Sequence, residues 1–185
     1  MPLTILDPRT ALIVVDLQNG IVSLPVAHPI TAVVENSRRL AEAFRRRSLP
    51  VVLVNVDGAA PGRTEENRPK MQFPEGWTEL VPELGQQPDD ICVTKKSWGA
   101  FATTDLEHKL KTLGITQVVL TGVATSIGVE STARQAYDQG FNLTFATDAM
   151  TDRTAEAHER SIHDVFPRIG ERGSTDEIIA LLERS

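Results

Sequence analysis

The chain has 185 residues, which suits one domain of the usual size of about 100–200 residues, and its 41% hydrophobic and 24% charged residues are the balance of a packed protein rather than a disordered one. Nineteen basic residues against 25 acidic ones give a net charge of −6, which disfavours a nucleic-acid partner or an anionic membrane, since both require a basic footprint. The one cysteine, Cys92, excludes an internal disulfide, and no apolar run approaches the roughly 20 residues that span a bilayer.

The first ten residues, MPLTILDPRT, carry no basic-then-apolar leader pattern. The expectation is a cytoplasmic protein with one domain over residues 1–185. Short apolar runs alternate with helix-like segments along the chain. Ala11–Asp16 is a continuous apolar run ending in an acid, and Val51–Val56 is a second, rich in β-branched residues. Between them Val33, Ser37, Leu40, Ala41 and Phe44 recur at helical spacing. Asp90–Thr94 is a third and weaker run, in which Cys92 reads as a core residue. Thr104 and Glu107 have the spacing of a capping box. Leu106, Leu110 and Leu113 form the buried stripe behind it, and Gly114 ends that helix. Gln117–Thr121 is a fourth strand, Ser126–Gln139 a helix closed by Gly140, and Asn142–Thr147 a fifth strand. Ala155, His158, Ile162 and Val165 mark another helix, stopped by Pro167. A short strand near Arg168–Arg172 precedes a last helix opened by Ser174 and Glu177. This alternation predicts an α/β protein with helices on both faces of a parallel sheet. In such folds ligands bind at the carboxyl ends of the strands, where Asp16, Asp57, Lys95 and Thr121-Gly122 all fall.

Asp16 ends a buried strand, so desolvation raises its pKa unless a cation opposes it. It reads equally as a cap of the turn in DLQNG. Lys95 and Lys96 follow the third strand, and either can fold over the sheet edge toward Asp16. After Thr121 a Gly-Val-Ala turn runs into a helix start, which aims backbone N–H groups at one point and suits an anion or oxyanion. Gly128, in the first turn of that helix, costs roughly 0.5–1 kcal/mol relative to Ala, and reads either as room for a ligand, the favoured reading, or as neutral drift in a first turn. His158 lies on an apolar helix face and reads as packed and hydrogen-bonded, while His28 and His163 carry no signal.

Taken together, DLQNG, the lysine before GAF, and TGVATSIGVESTARQAYDQGF followed by TDAM resemble the isochorismatase-like hydrolase family, which includes nicotinamidases and N-carbamoylsarcosine amidohydrolase. The resemblance runs from about residue 10 to 170. It implies a three-layer α/β/α sandwich, Rossmann-like, around a mostly parallel sheet of about six strands, and a homodimer or larger homo-oligomer. It also implies a non-proline cis peptide at Val123–Ala124. Of the family's Asp–Lys–Cys triad, Asp16 matches the acid and Lys95 the lysine. Gly128 stands where amidohydrolases carry the nucleophilic cysteine. The acid and histidines of the nicotinamidase metal site have no counterpart in the residues after Asp57. Isochorismatases proper share the glycine and hydrolyse a vinyl ether, a reaction that needs an acid and no nucleophilic side chain. The resemblance thus implies a small-molecule substrate and neither metal nor other cofactor. It leaves open another small-molecule hydrolase using water activated by Asp16, or a non-catalytic small-molecule- or protein-binding member that lost the nucleophile. The implied substrate contacts are Gly128, Ala124, Val123, Gln18, Trp98 and Phe101. Phe73 and Trp77 are further candidates for the pocket wall, and Arg63, Arg68 and Lys70 are candidate anion-binding groups beside Lys95.

Overall fold

The computed structural model describes residues 3–65 and 73–184. Within them six strands form one sheet: β1 (Thr10–Val15), β2 (Val51–Val56), β3 (Ile91–Lys95), β4 (Gln117–Val123), β5 (Asn142–Thr151) and β6 (Glu171–Gly173). Their spatial order is β3-β2-β1-β4-β5-β6, and every neighbouring pair is parallel. The helices are α1 (Asn19–Val22), α2 (Ile30–Arg46), α3 (Leu106–Thr112), α4 (Glu130–Asp138), α5 (Ala155–Arg160), α6 (Phe166–Ile169) and α7 (Thr175–Arg184). This is the expected α/β/α sandwich.

Strand periodicity divides the core in two. Ala11, Ile13 and Val15 of β1 point to one face with Val118 and Leu120 of β4, where α3, α4, Ile162 and Phe166 cover them. Leu12 and Val14 point to the other face with Leu53 and Val119, under α2 and α7. The inner strands β1, β2 and β4 are buried on both faces over most of their length, which is why their sequences read as unbroken apolar runs. From β1 the chain moves outward to β2 and β3, then returns to the opposite side of β1 for β4 and continues outward. The crevice between the carboxyl ends of β1 and β4 is therefore the topological switch point, the place where open α/β sheets bind ligands.

Several expectations need correction. Cys92 is exposed, because β3 is an edge strand whose residues alternate between covered and open faces. Its thiol lies beside the Gln86 amide, 3.0 Å away. Leu113 is 44% exposed and lies outside the stripe formed by Leu106 and Leu110. Thr104 accepts from the Leu106 amide and donates to the Ala100 carbonyl, but the helix begins one residue later than a Thr104–Glu107 box requires. Pro167 does not stop the helical segment. It sits in the first turn of α6, where a missing N–H is tolerated, and the segment ends before Gly170. β5 runs four residues beyond Thr147, since a register shift between Leu120 and Gly122 lets the strand continue past the irregularity. The second capping box is present: the Glu177 carboxylate accepts from the Ser174 amide at 2.7 Å, and Ser174 Oγ accepts from the Glu177 amide.

Candidate active site

Register places the chemistry. Val15 pairs with Val54 on one side and Gly122 on the other, so Asp16 leaves β1 directly beside the end of β4. The Asp16 amide still donates to the Val54 carbonyl, at 2.9 Å, but its φ of 54° turns the backbone into the left-handed region, which non-glycine residues enter at a cost. Lys95 pairs with Val56 on the far side of β2. Two strand spacings, about 9.6 Å, separate β3 from β1. The long lysine stem crosses that gap and sets Nζ 2.8 Å from Asp16 Oδ2, with a second bond to the Ser97 carbonyl at 3.1 Å. Lys95 is only 2% exposed. Lys96 has the opposite strand parity and pairs with Asp57 at the surface.

Burial dominates the electrostatics of Asp16. Loss of solvent pushes its carboxyl up to about 6, and the Lys95 ammonium opposes that rise without cancelling it. Lys95 holds Oδ2, whereas Asp16 Oδ1 is buried with no hydrogen-bond partner among the described residues.

The opposite wall is the turn from β4. Gly122 has a φ of 116°, and a Cβ there would lie 2.0 Å from the Val15 carbonyl oxygen, so only glycine lets the strands approach this closely. The Val123–Ala124 peptide is cis. A π turn, Thr125–Val129, leads into α4. Two buried groups brace it: Asp152 Oδ2 accepts from the Ser126 amide at 2.6 Å, and Thr125 Oγ1 lies 2.8 Å from His158 Nδ1. His158 is thus packed and hydrogen-bonded, and the His28 ring lies 4.6 Å from it. Desolvation, together with that neighbouring imidazole, lowers the His158 pKa. Gly128 lies against the acid: a Cβ built on it would be 3.1 Å from Asp16 Oδ2. The Gly128 carbonyl accepts from Thr132 Oγ1, which in turn accepts from the Ala100 amide and so ties this turn to the Trp98 loop.

A cavity of about 280 Å³ opens between these walls, with Asp16, Lys95, Gly128, Val123 and Ala124 in its lining. Trp77 and Trp98 line it too, and Phe73 stacks behind Trp77 with ring centroids 4.4 Å apart. A Cβ on Gly20 would fall 2.0 Å from Trp77 Nε1, so the glycine of DLQNG is what lets the indole lie in this wall. Two expected substrate contacts lie outside the lining. Gln18 is fully buried and spends its amide clamping the end of β2, accepting from the Val56 amide at 2.7 Å and donating to its carbonyl at 3.1 Å. Phe101 packs in the core against Phe141. Arg63 is exposed and not in the cavity lining, and Arg68 and Lys70 fall outside the described residues. Sequence reasoning missed the apolar wall formed by Ile21, Leu24, Val26, Val56 and Ile127, and it missed Arg153. Among the described residues no group of three or more His, Cys, Asp or Glu side chains could hold a metal, and no helix is long and apolar enough to cross a membrane.

The isochorismatase domain model matches residues 10–177, nearly the whole length. The chain is a member of the isochorismatase family. It is 42% identical over 178 residues to the isochorismatase family protein YwoC of Bacillus subtilis, covering 92% of this chain and 93% of that one. The structure of an isochorismatase family protein from Burkholderia thailandensis superposes with a TM-score of 0.93 at 40% identity, covering 97% of this chain and 98% of the other. Nicotinamidase 3 of Arabidopsis thaliana is 32% identical over 84% of this chain and 81% of its own. This isochorismatase-family hydrolase therefore has relatives named as amide hydrolases, yet at Gly128 it has no side chain that could act as a thiol nucleophile.

Proposed function

We propose that this protein hydrolyses a small-molecule vinyl ether by general-acid catalysis from Asp16, without a covalent enzyme intermediate. The observation that carries the reading is a buried carboxyl, raised to about 6, lying against a glycine at the cavity wall. A group with that pKa is protonated in about a tenth of molecules at pH 7, which suits an acid working near neutrality.

The proton resides on Oδ1, the oxygen that Lys95 does not hold. The enol-ether carbon takes it: a C–H bond forms from the π electrons, the Asp16 O–H bond breaks, and an oxocarbenium ion remains. The carboxylate left behind is stabilised by Lys95 and itself stabilises the cation. Water adds to the oxocarbenium carbon and returns a proton to Asp16. The resulting hemiketal collapses to a ketone and an alcohol. Backbone N–H groups of Ala124 and Gly128, both in the cavity lining, stabilise negative charge developing on the leaving oxygen.

The test is a turnover assay with isochorismate, simpler vinyl ethers and small amides, on the native protein and Asp16→Asn. Loss of a positioned general acid costs roughly 10²–10⁴ in rate. Vinyl-ether turnover should fall by that factor in the variant. In the native protein kcat/KM should drop about tenfold per pH unit above about 6. Hydrolysis of the amides but not the vinyl ethers, or undiminished vinyl-ether turnover by Asp16→Asn, overturns the reading.

A further inference from the structure

The charges at the carboxyl edge of the sheet are mostly paired. Lys95 is held by Asp16 and the Ser97 carbonyl, and Lys96 by Asp57. Arg153 is the exception. It follows β5 directly, lines the cavity, is exposed, and forms no ion pair with any described residue. Its amide is fixed by the Asp152 carboxylate at 2.7 Å, and that same carboxylate holds the Ser126 amide, so the backbone that carries the guanidinium is locked to the turn bearing Gly128. Everything else in the described lining, apart from Asp16, Lys95 and Ser97, is apolar, aromatic or glycine.

Size narrows the occupant. About 280 Å³ is the share of roughly nine liquid waters, enough for about ten non-hydrogen atoms, or one substituted six-membered ring. Trp77 and Trp98 supply flat walls, and Trp98 is 54% exposed at the mouth. A net charge of −6 makes an unpaired guanidinium the local feature that would draw an anion in. Its planar fork matches a carboxylate in bidentate fashion.

We propose that Arg153 sets the substrate class of this cavity: a small single-ring monocarboxylate, its carboxylate on the Arg153 fork and its ring against the tryptophan walls. This rests on the cavity being the substrate site, as in the reading above, and narrows it. One unpaired cation in the described lining suits one carboxylate, with the rest of the ligand apolar.

Trp77 and Trp98 are the two tryptophans of the chain, so intrinsic fluorescence reports on this cavity directly. The probes are benzoate and its neutral isostere benzamide. Benzoate should quench saturably and bind at least about tenfold more tightly than benzamide. Arg153→Gln should weaken benzoate at least about tenfold and leave benzamide within about twofold, while Arg153→Lys, which keeps the charge but not the fork, should fall between. Equal benzoate affinity in native protein and Arg153→Gln overturns the proposal, as does saturable binding of neither probe. Asp16→Asn separates this from the acid assignment. If turnover survives Asp16→Asn while the Arg153 dependence stands, only the acid assignment fails. If turnover is lost but benzoate ignores Arg153, only the carboxylate site fails.

Discussion

Replacing Asp16 by Asn keeps the side chain's shape and an oxygen for Lys95 but removes its titration. The difference in unfolding free energy between native protein and variant therefore isolates one carboxyl, since every other group titrates in both. The folded pKa is about 6, against 3.8 for an ordinary solvated aspartate. A folded pKa above the unfolded one gives a contribution that is fully present below about pH 3.8 and is lost as pH rises through about 6. At 1.36 kcal/mol per pH unit that gap corresponds to about 3 kcal/mol in total. About 2 kcal/mol of it falls between about pH 4.5 and 7.5, because the unfolded chain has begun to ionise before the lower limit. Urea denaturation of both proteins across that window measures it. The native-minus-variant stability should decline by about 2 kcal/mol with rising pH, and replacing Lys95 by Met in both should move the decline to higher pH, because the ammonium that lowers the Asp16 pKa is gone. A flat difference would show that burial and Lys95 cancel. A difference that rises with pH would show that the ion pair outweighs desolvation, and the protonated acid on which the proposed chemistry depends would be lost with it.

Two further substitutions probe the walls. In Gly20→Ala the new methyl would meet Trp77 at 2.0 Å, so the indole must leave the cavity wall. The expected result is a cost of about 1–3 kcal/mol from overpacking together with a shifted tryptophan emission spectrum, and an unchanged spectrum would show that Trp77 does not depend on that glycine. In Gly128→Cys, made in a Cys92→Ser background, the added Cβ is tight but tolerable, 3.1 Å from Asp16 Oδ2 and Val15 Cγ1. A thiol at the start of a helical segment, in the cavity that Lys95 also lines, should be alkylated by iodoacetamide at neutral pH at least about tenfold faster than native Cys92, whose pKa is raised by burial and by Asp90. Equal rates would remove position 128 from the reactive centre.

Much of this site was legible because strand parity and strand ends are written in the sequence. β1, β2 and β4 were visible as apolar runs because they lie inside the sheet, buried on both faces over most of their length. Asp16 stood out as a charge at the end of such a run, while Lys95 ends the weaker edge strand β3 and was chosen over Lys96 by the family resemblance. The choice between Lys95 and Lys96 also has a local signal: Lys95 shares parity with Val93, which faces the core, while Lys96 shares parity with Cys92 and Thr94, which are exposed. The same alternation would have placed Cys92 on the open face. What was not legible depends on contacts distant in sequence. Gln18 was expected as a binding residue from the resemblance carried by DLQNG, but its amide is consumed by Val56, a strand away. Phe101 shares a loop with Trp98, yet its amide donates to Gln135 Oε1 and the ring turns into the core.

Arg153 shows how one misplaced boundary hides a residue of the cavity wall. Reading β5 as ending at Thr147 leaves Arg153 deep in a connecting loop. The observed strand ends at Thr151, and Arg153 then stands two residues past it, on the same rim as Asp16 and Lys95. The four-residue difference comes from the irregularity opposite Leu120 and Gly122. Gly122 is also the residue whose missing Cβ lets β4 close on Val15. One glycine thus seats the turn that carries Gly128 against Asp16 and lies at the register shift beyond which β5 runs on toward Arg153. The acid and the unpaired cation share a cavity because of a backbone irregularity, and no pattern of apolar residues records it.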